Sequence, residues 1–173
     1  MNNSFINKVR RLREGIPASD SDPLRKLKES LRDRECSLKF SAVHPDEVFK
    51  IIIGLKNSKS TGTDSIDTRI IKLIAGKILA PLTHIINLSI STSKFPSIWK
   101  VAKVVSLLKK GDSLNPKNYR PVALLPIFSK ILERVIFNQM VKYLDTNKLL
   151  HPNHHGSRHG YSTATALIQM MNG

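Results

Sequence analysis

Four cations frame one short stretch of this chain, Lys109 and Lys110 on one side and Lys117 and Arg120 on the other. Phosphate chemistry asks for such groups. An ammonium is a compact, mobile charge, whereas a guanidinium can fork onto two oxygens at once. The same cluster would also suit a solvated loop of no special role, and charge alone does not choose between them. Other constellations carry less. In Gly54 to Ser60 the glycine that a phosphate-cradling loop needs directly before its Lys-Ser pair is replaced by Ser58, and no apolar strand leads into it. His151, His154, His155 and His159 crowd together, with no cysteine or carboxylate in the stretch to complete a metal's coordination sphere. The acids Asp46, Asp64, Asp67, Asp112 and Asp145 fall at expected helix ends and in loops, never in the middle of an apolar strand, so no catalytic residue is assigned.

Charge widens the point. The chain has 173 residues, with 28 Lys and Arg against 13 Asp and Glu, a formal charge of +15 and a pI near 10.2. Polyanions, nucleic acid first, are the expected partners. A hydrophobic share of 40% is enough to build a core for one medium domain. The single cysteine, Cys36, leaves no intramolecular disulfide and fits an intracellular compartment, cytoplasmic or nuclear. No uninterrupted apolar run approaches the roughly 18 residues of a membrane span. The polar start, Met1 to Arg13, lacks a signal peptide's apolar stretch, and no membrane partner is expected.

The framing cations need a scaffold, and the flanking runs supply one. Residues 101–108 are short and β-branched, as a strand would be, and residues 119–124 are the expected partner, with Pro121 placing that strand at an edge or a bulge. The connection, Lys109 to Asn118, is longer than the usual two to five residues of a hairpin loop. In such a hairpin Lys109 and Arg120 project to one side.

Helical periodicity surrounds this pair of strands. Pro45, Asp46 and Glu47 open a helix with Val48, Ile51, Ile52 and Leu55 on its apolar face, ending near Lys56. An exposed loop, Asn57 to Asp64, follows, and Asp64 or Ser65 caps a second helix buried through Ile66, Ile70, Ile71 and Ile74. A third helix spans about Lys77 to Ser91, with Leu79, Leu82, Ile85, Ile86 and Ile90 inward and Pro81 near its start. Beyond Pro126, the positions Ile127, Ile131, Leu132, Val135, Ile136 and Met140 make the clearest amphipathic helix, continued by Leu144, Leu149 and Leu150. Ser162 or Thr163 caps a last helix through Ala166, Leu167 and Met170. Residues 1–40 read as a basic helical connector or arm, with one short helix through Phe5, Ile6, Val9 and Leu12 and another after Pro23, capped by Ser21 or Asp22, through Leu24, Leu27 and Leu31. The expected fold is α+β, mostly helical with one small hairpin, with residues 41–173 forming the main domain.

Four strings in order add a resemblance. Lys59-Ser-Thr-Gly62-Thr-Asp64-Ser-Ile66 resembles the "KSxGxDxI" opening motif of non-LTR retrotransposon reverse transcriptases. Phe95 to Val105, with Pro96, Trp99, Lys100, Ala102 and Lys103, is similar to that family's lead into the first fingers strand and is followed by Lys109-Lys110-Gly111-Asp112. Asn118-Tyr119-Arg120-Pro121 to Leu125, then Lys130-Ile131-Leu132-Glu133, resembles "NYRPISLL…KI.E". His155-Gly156-Ser157-Arg158-His159-Gly160 to Thr163 resembles "FGFR.G.ST". The chain departs from the pattern at Ser106, where a proline is usual, at His154, where a glutamine is usual, and at Ser157, where an aromatic is usual. The likeness covers roughly residues 40–171 and is strongest to jockey-like elements.

The resemblance implies an incomplete RNA-directed DNA polymerase, residues 41–173 being the fingers and the start of the palm, cut off before the catalytic aspartates. It implies that Lys109 and Arg120 hold the triphosphate of an incoming deoxynucleotide, and that Lys59, Lys103, Lys110, Lys117 and Arg158 contact RNA template and DNA primer. Magnesium is implied for the full-length parent only, as are the palm and thumb of its polyprotein as partners. The alternative is a free-standing basic RNA-binding or interaction protein that reuses the fold.

Overall fold

A computed structural model describes residues 7, 10–17, 22, 24–25 and 37–172 of the chain. The expected class is found: α-helices predominate and one antiparallel pair of strands accompanies them. The order is α1 (Pro45–Gly54), α2 (Thr68–Thr92), a 3-10 turn (Ser97–Lys100), β1 (Lys103–Leu108), a second 3-10 turn (Pro116–Asn118), β2 (Tyr119–Leu124), α3 (Ile127–Thr146) and α4 (Thr163–Asn172).

Helix α1 starts where proline and acids place it. His44 caps it, its ring accepting the Asp46 N–H, and Glu47 reaches back to the His44 N–H. The helix packs on both α2 and α3, and its buried Val48 and Ile52 meet Ile71, Ala75, Leu82 and Ile86 of α2 and Ile131, Leu132 and Val135 of α3 in one core. The extended residues 37–44 are held to this body by two side-chain amides. Asn87 accepts from Val43 N–H at 2.8 Å and donates to its carbonyl at 3.1 Å. Gln139 does the same for Ser41, 2.9 Å each way.

Several expectations need correction. The two helices expected on either side of Gly76 are one helix, because Ile71, Ala75, Leu82 and Ile86 form a single stripe whose burial outweighs the roughly 1 kcal/mol that a helical glycine costs. Pro81 lies well inside it. The cap of α2 is Asp67, not Asp64 or Ser65: its carboxylate accepts from the N–H groups of Arg69 at 2.8 Å and Ile70 at 3.0 Å. Ile70, Ile85 and Met140, expected inward, are exposed, since the apolar stripes are wider than the faces covered. Leu149 and Leu150 lie beyond α3, which ends at Thr146. Strand β1 begins at Lys103 rather than at residue 101.

Helix α2 is, by length and composition, apolar enough to cross a membrane, with a mean hydropathy of 1.5 over an 18-residue stretch. The run-based expectation missed this because polar residues interrupt the stretch. One face of it, through Ile71, Ala75, Leu82 and Ile86, packs into the core, while Ile70, Leu73, Ile85 and Leu88 are exposed. Of the arm, residues 10–14 are helical and end in a turn at Gly15, and Asp22 accepts the Leu24 N–H at 2.9 Å as a helix opening would. Phe5, Ile6, Val9, Ser21, Leu27 and Leu31 lie outside the described residues.

Candidate nucleic-acid interface

The hairpin register places the framing cations. Leu107 faces Arg120 and Leu108 faces Tyr119, and the Lys109 N–H continues the ladder to the Asn118 carbonyl at 2.8 Å. Directly opposed residues share a face, as do residues two apart on one strand. Lys109 and Arg120 are therefore diagonal neighbours on one face, where backbone positions lie about 7–8 Å apart. Lys103, opposite Leu124, belongs to the same face, about 20 Å toward the hairpin's root at the usual strand rise. All three are exposed, while Val105, Val122 and Leu124 between them are half-buried.

The same ladder explains Pro121. Antiparallel pairs alternate between hydrogen-bonded and free, and counting from Lys109 and Asn118 makes Ser106 and Pro121 a free pair, where no N–H is needed.

The long loop holds itself together. The Asn118 amide donates to the Asp112 carbonyl at 2.8 Å, the Tyr119 hydroxyl to the Ser113 carbonyl at 2.9 Å, and the Asp112 carboxylate accepts from Leu114 N–H at 2.9 Å. Asn115 caps the short 3-10 turn through Lys117 N–H at 3.0 Å. Gly111 has φ +85°, and a Cβ there would sit 2.9 Å from the Asn118 amide nitrogen. Lys110 and Lys117 stay exposed on this internally bonded loop. Sequence reasoning had placed Asn118 at the end of the loop and Tyr119 at the start of the strand and missed both as loop clamps. The signal was there in the density of Asp and Asn, which bond their own backbone in turns.

The root of the hairpin is gripped from both ends by one short segment. Thr63 donates its hydroxyl to the Val101 carbonyl at 3.3 Å, just before β1. Just after β2, a Cβ on Gly62 would lie 2.5 Å from the Pro126 nitrogen, and Asp64 accepts the Ile127 N–H at 2.8 Å. Glycine is required by that approach. Trp99, buried, stacks on Phe128 at 5.8 Å between ring centroids and meets Phe95 edge-on at 6.4 Å, tying the approach to β1 onto α3. Lys59 is exposed on the loop that carries Gly62.

Arg158 stands apart from the hairpin cluster in its environment. It lies 3.5 Å from the Asp145 carboxylate and its guanidinium carbon is 4.4 Å from the Tyr161 ring centroid, leaving the side chain one-quarter exposed. Nearby, both ring nitrogens of His155 are engaged, by Thr165 at 2.9 Å and Gln169 at 2.7 Å, fastening this loop to α4. Ser162 caps α4 through the Thr165 N–H at 3.3 Å, as expected.

The five aspartates are structurally committed. Asp46 lies in the first turn of α1, Asp64 grips the hairpin root, Asp112 orders the loop, and Asp145 pairs with Arg158. Asp67 caps α2 and its carboxyl is held below the usual range, first by the Arg69 guanidinium at 2.6 Å and then by the Ile70 N–H. Among the described residues no three His, Cys, Asp or Glu groups converge to hold a metal ion.

No protein-family model matches the chain. Among curated proteins, it is 33% identical over 80% of its length to the RNA-directed DNA polymerase from mobile element jockey of Drosophila melanogaster. It is 29% identical over 75% of its length to the probable RNA-directed DNA polymerase from transposon BS, and 28% identical over 73% to that from transposon X-element, both of the same organism. The chain spans 14–15% of the length of these relatives.

Proposed function

The chain belongs, as one segment, to the RNA-directed DNA polymerases of non-LTR retrotransposons, and from that premise we propose that its hairpin is the fingers element that closes on an incoming deoxynucleoside triphosphate. The observation that carries this reading is the register, which makes Lys109 and Arg120 exposed diagonal neighbours on one face. In it Lys109 follows the phosphates as a mobile point charge, and Arg120 forks onto two of their oxygens. Neither makes or breaks a bond. They neutralise and align the departing pyrophosphate, the electrostatic part of phosphoryl transfer.

Lys59, Lys103, Lys110, Lys117 and Arg158 are proposed to contact RNA template and DNA primer, Arg158 by exchanging its long contact with Asp145 for phosphate. Magnesium, when bound in such a polymerase, would supply Lewis-acid stabilisation of the charge developing in phosphoryl transfer. The described residues offer no carboxylate set to hold it, and the chain by itself is proposed to bind without polymerising. The exposed Leu167, Ile168, Met170 and Met171 of α4 support a covering partner, which we take to be the palm and thumb of the parent polyprotein. The proposed setting is intracellular. The proposed division stays at residues 1–40 as an arm and 41–173 as fingers and start of palm, a boundary supported by the amide forks that fasten Ser41 and Val43.

The test places this chain in a catalytically complete polymerase. Arg120→Ala should lower kcat/KM for the triphosphate by about 1.5–3 kcal/mol, the worth of a charge-assisted bond. Arg120→Lys should recover part of that loss, and Lys117→Ala should cost far less. Equal effects of Arg120→Ala and Lys117→Ala would return Arg120 to the status of a solvated charge. Hydrogen exchange separates the alternative: a free-standing binding protein protects α4 in this chain alone, and a polymerase segment protects it only beside its partner.

A further inference from the structure

Away from the hairpin, the end of α1 and the first half of α3 leave an open trough of two adjoining parts, about 630 Å³ and about 620 Å³, which share Leu55, Lys56 and Arg134 in their walls. Lys50 and Lys130 complete its cationic lining, and Phe137 adds an aromatic surface. Two carboxylates border it, yet each is turned toward its own helix. Glu133 accepts from the Ser129 hydroxyl at 3.0 Å and Glu47 from the His44 N–H at 3.5 Å. None of the four cations forms an ion pair with a described carboxylate. Phe137 keeps 46% of its surface exposed, with the Arg134 guanidinium carbon 5.4 Å from its ring centroid.

Several cations without ion pairs in the walls of one trough suit a chain of phosphates, and an exposed ring among them suits a base that can lie flat on it. A paired base hides its faces in the stack, so that ring favours an unpaired strand over a duplex. Two adjoining lobes of this size would be largely unfilled by a mononucleotide. We propose that this trough binds single-stranded RNA, with phosphates on Lys56, Lys130 and Arg134 and a base on Phe137. Ser58 lies in its wall, which puts one end beside Lys59. The proposal rests on the nucleic-acid part of the function above and adds a surface separate from the hairpin.

The test uses the full chain and fluorescein-labelled RNA of about a dozen nucleotides, single-stranded and as a duplex, read by anisotropy. The double reversal Lys130→Glu with Arg134→Glu should weaken single-strand binding about tenfold or more, with helicity unchanged by circular dichroism. Phe137→Leu, which keeps apolar bulk, should weaken the single strand about fivefold or more and leave the duplex unchanged. RNA carrying 4-thiouridine should photo-crosslink to the peptide that contains Phe137. Wild-type affinity in the double reversal, equal losses on both forms of RNA in Phe137→Leu, or displacement by polyglutamate as readily as by unlabelled RNA would each overturn the assignment. RNA binding that survives the trough variants but is lost in Lys109→Ala with Arg120→Ala overturns the trough alone. A chain that binds no RNA in any form ends the nucleic-acid part of the function as well.

Discussion

Asp64 accepts the backbone N–H of Ile127 at 2.8 Å across 63 positions of sequence and thereby caps a helix whose own N-cap residue, Pro126, offers no side-chain hydrogen bond. A loop and the hairpin root are thus joined by one carboxylate, beside a glycine that allows the approach.

Asp64→Ala should destabilise the chain by about 1–2 kcal/mol, as loss of a helix cap does, with Asp64→Asn recovering part. Gly62→Ala should cost about 1–3 kcal/mol, because its methyl meets backbone that cannot turn aside. Urea unfolding measures both, and an Asp64→Ala variant within 0.5 kcal/mol of wild type would remove the carboxylate from this role.

Asp67 sets an acid-side dependence. Its carboxyl titrates lower in the folded chain than in the unfolded one, mainly through Arg69, so its contribution is complete above the ordinary aspartate value near 3.8 and is lost as pH falls through the folded value. The Tm difference between wild type and Asp67→Asn should therefore shrink below about pH 4. Arg69→Met should shift that loss to higher pH. A difference constant from pH 7 to pH 2 would contradict the pairing.

The loop clamp is tested at Asn118. Asn118→Ala removes the bond to the Asp112 carbonyl, a change worth about 1 kcal/mol. Amide exchange at Leu114 and Lys117 should quicken while α1 to α3 keep their protection. Unchanged exchange in the loop would mean that Asp112, Asn115 and Tyr119 suffice to hold it.

Nucleic-acid binding should depend steeply on salt. With Lys103, Lys109, Lys110, Lys117 and Arg120 all exposed on the hairpin and its loop, a log–log slope of about −3 to −5 is expected, since each phosphate contact releases counterions. Titrations at several salt concentrations measure it, and a flat response would show that these charges are not what binds.

Much of the scaffold was legible in residue order because local rules act over a few residues. The two apolar runs gave the hairpin, Pro45 with its acids opened α1, and Ser162 capped α4 where a helix was expected. The alternation of strand faces, a local rule, already put Lys109 and Arg120 on one side. What misled was equally local: Gly76 and Pro81 look like punctuation until the stripe from Ile71 to Ile86 is seen buried against α1.

The sequence by itself determined composition, charge, most helix starts and the two strands of the hairpin, all of which depend on composition or on neighbours within a turn or a short run, while their pairing register came from the structure. Tertiary structure alone decided that Asp64 serves α3 rather than α2, that Trp99 stacks on Phe128, that Asn87 and Gln139 clamp residues 41–43, and that Lys56, Lys130 and Arg134 share one trough. Each of these pairs groups that lie far apart in the chain. Burial of the common core brings them within bonding distance, and no periodicity in the sequence encodes which distant partner that will be.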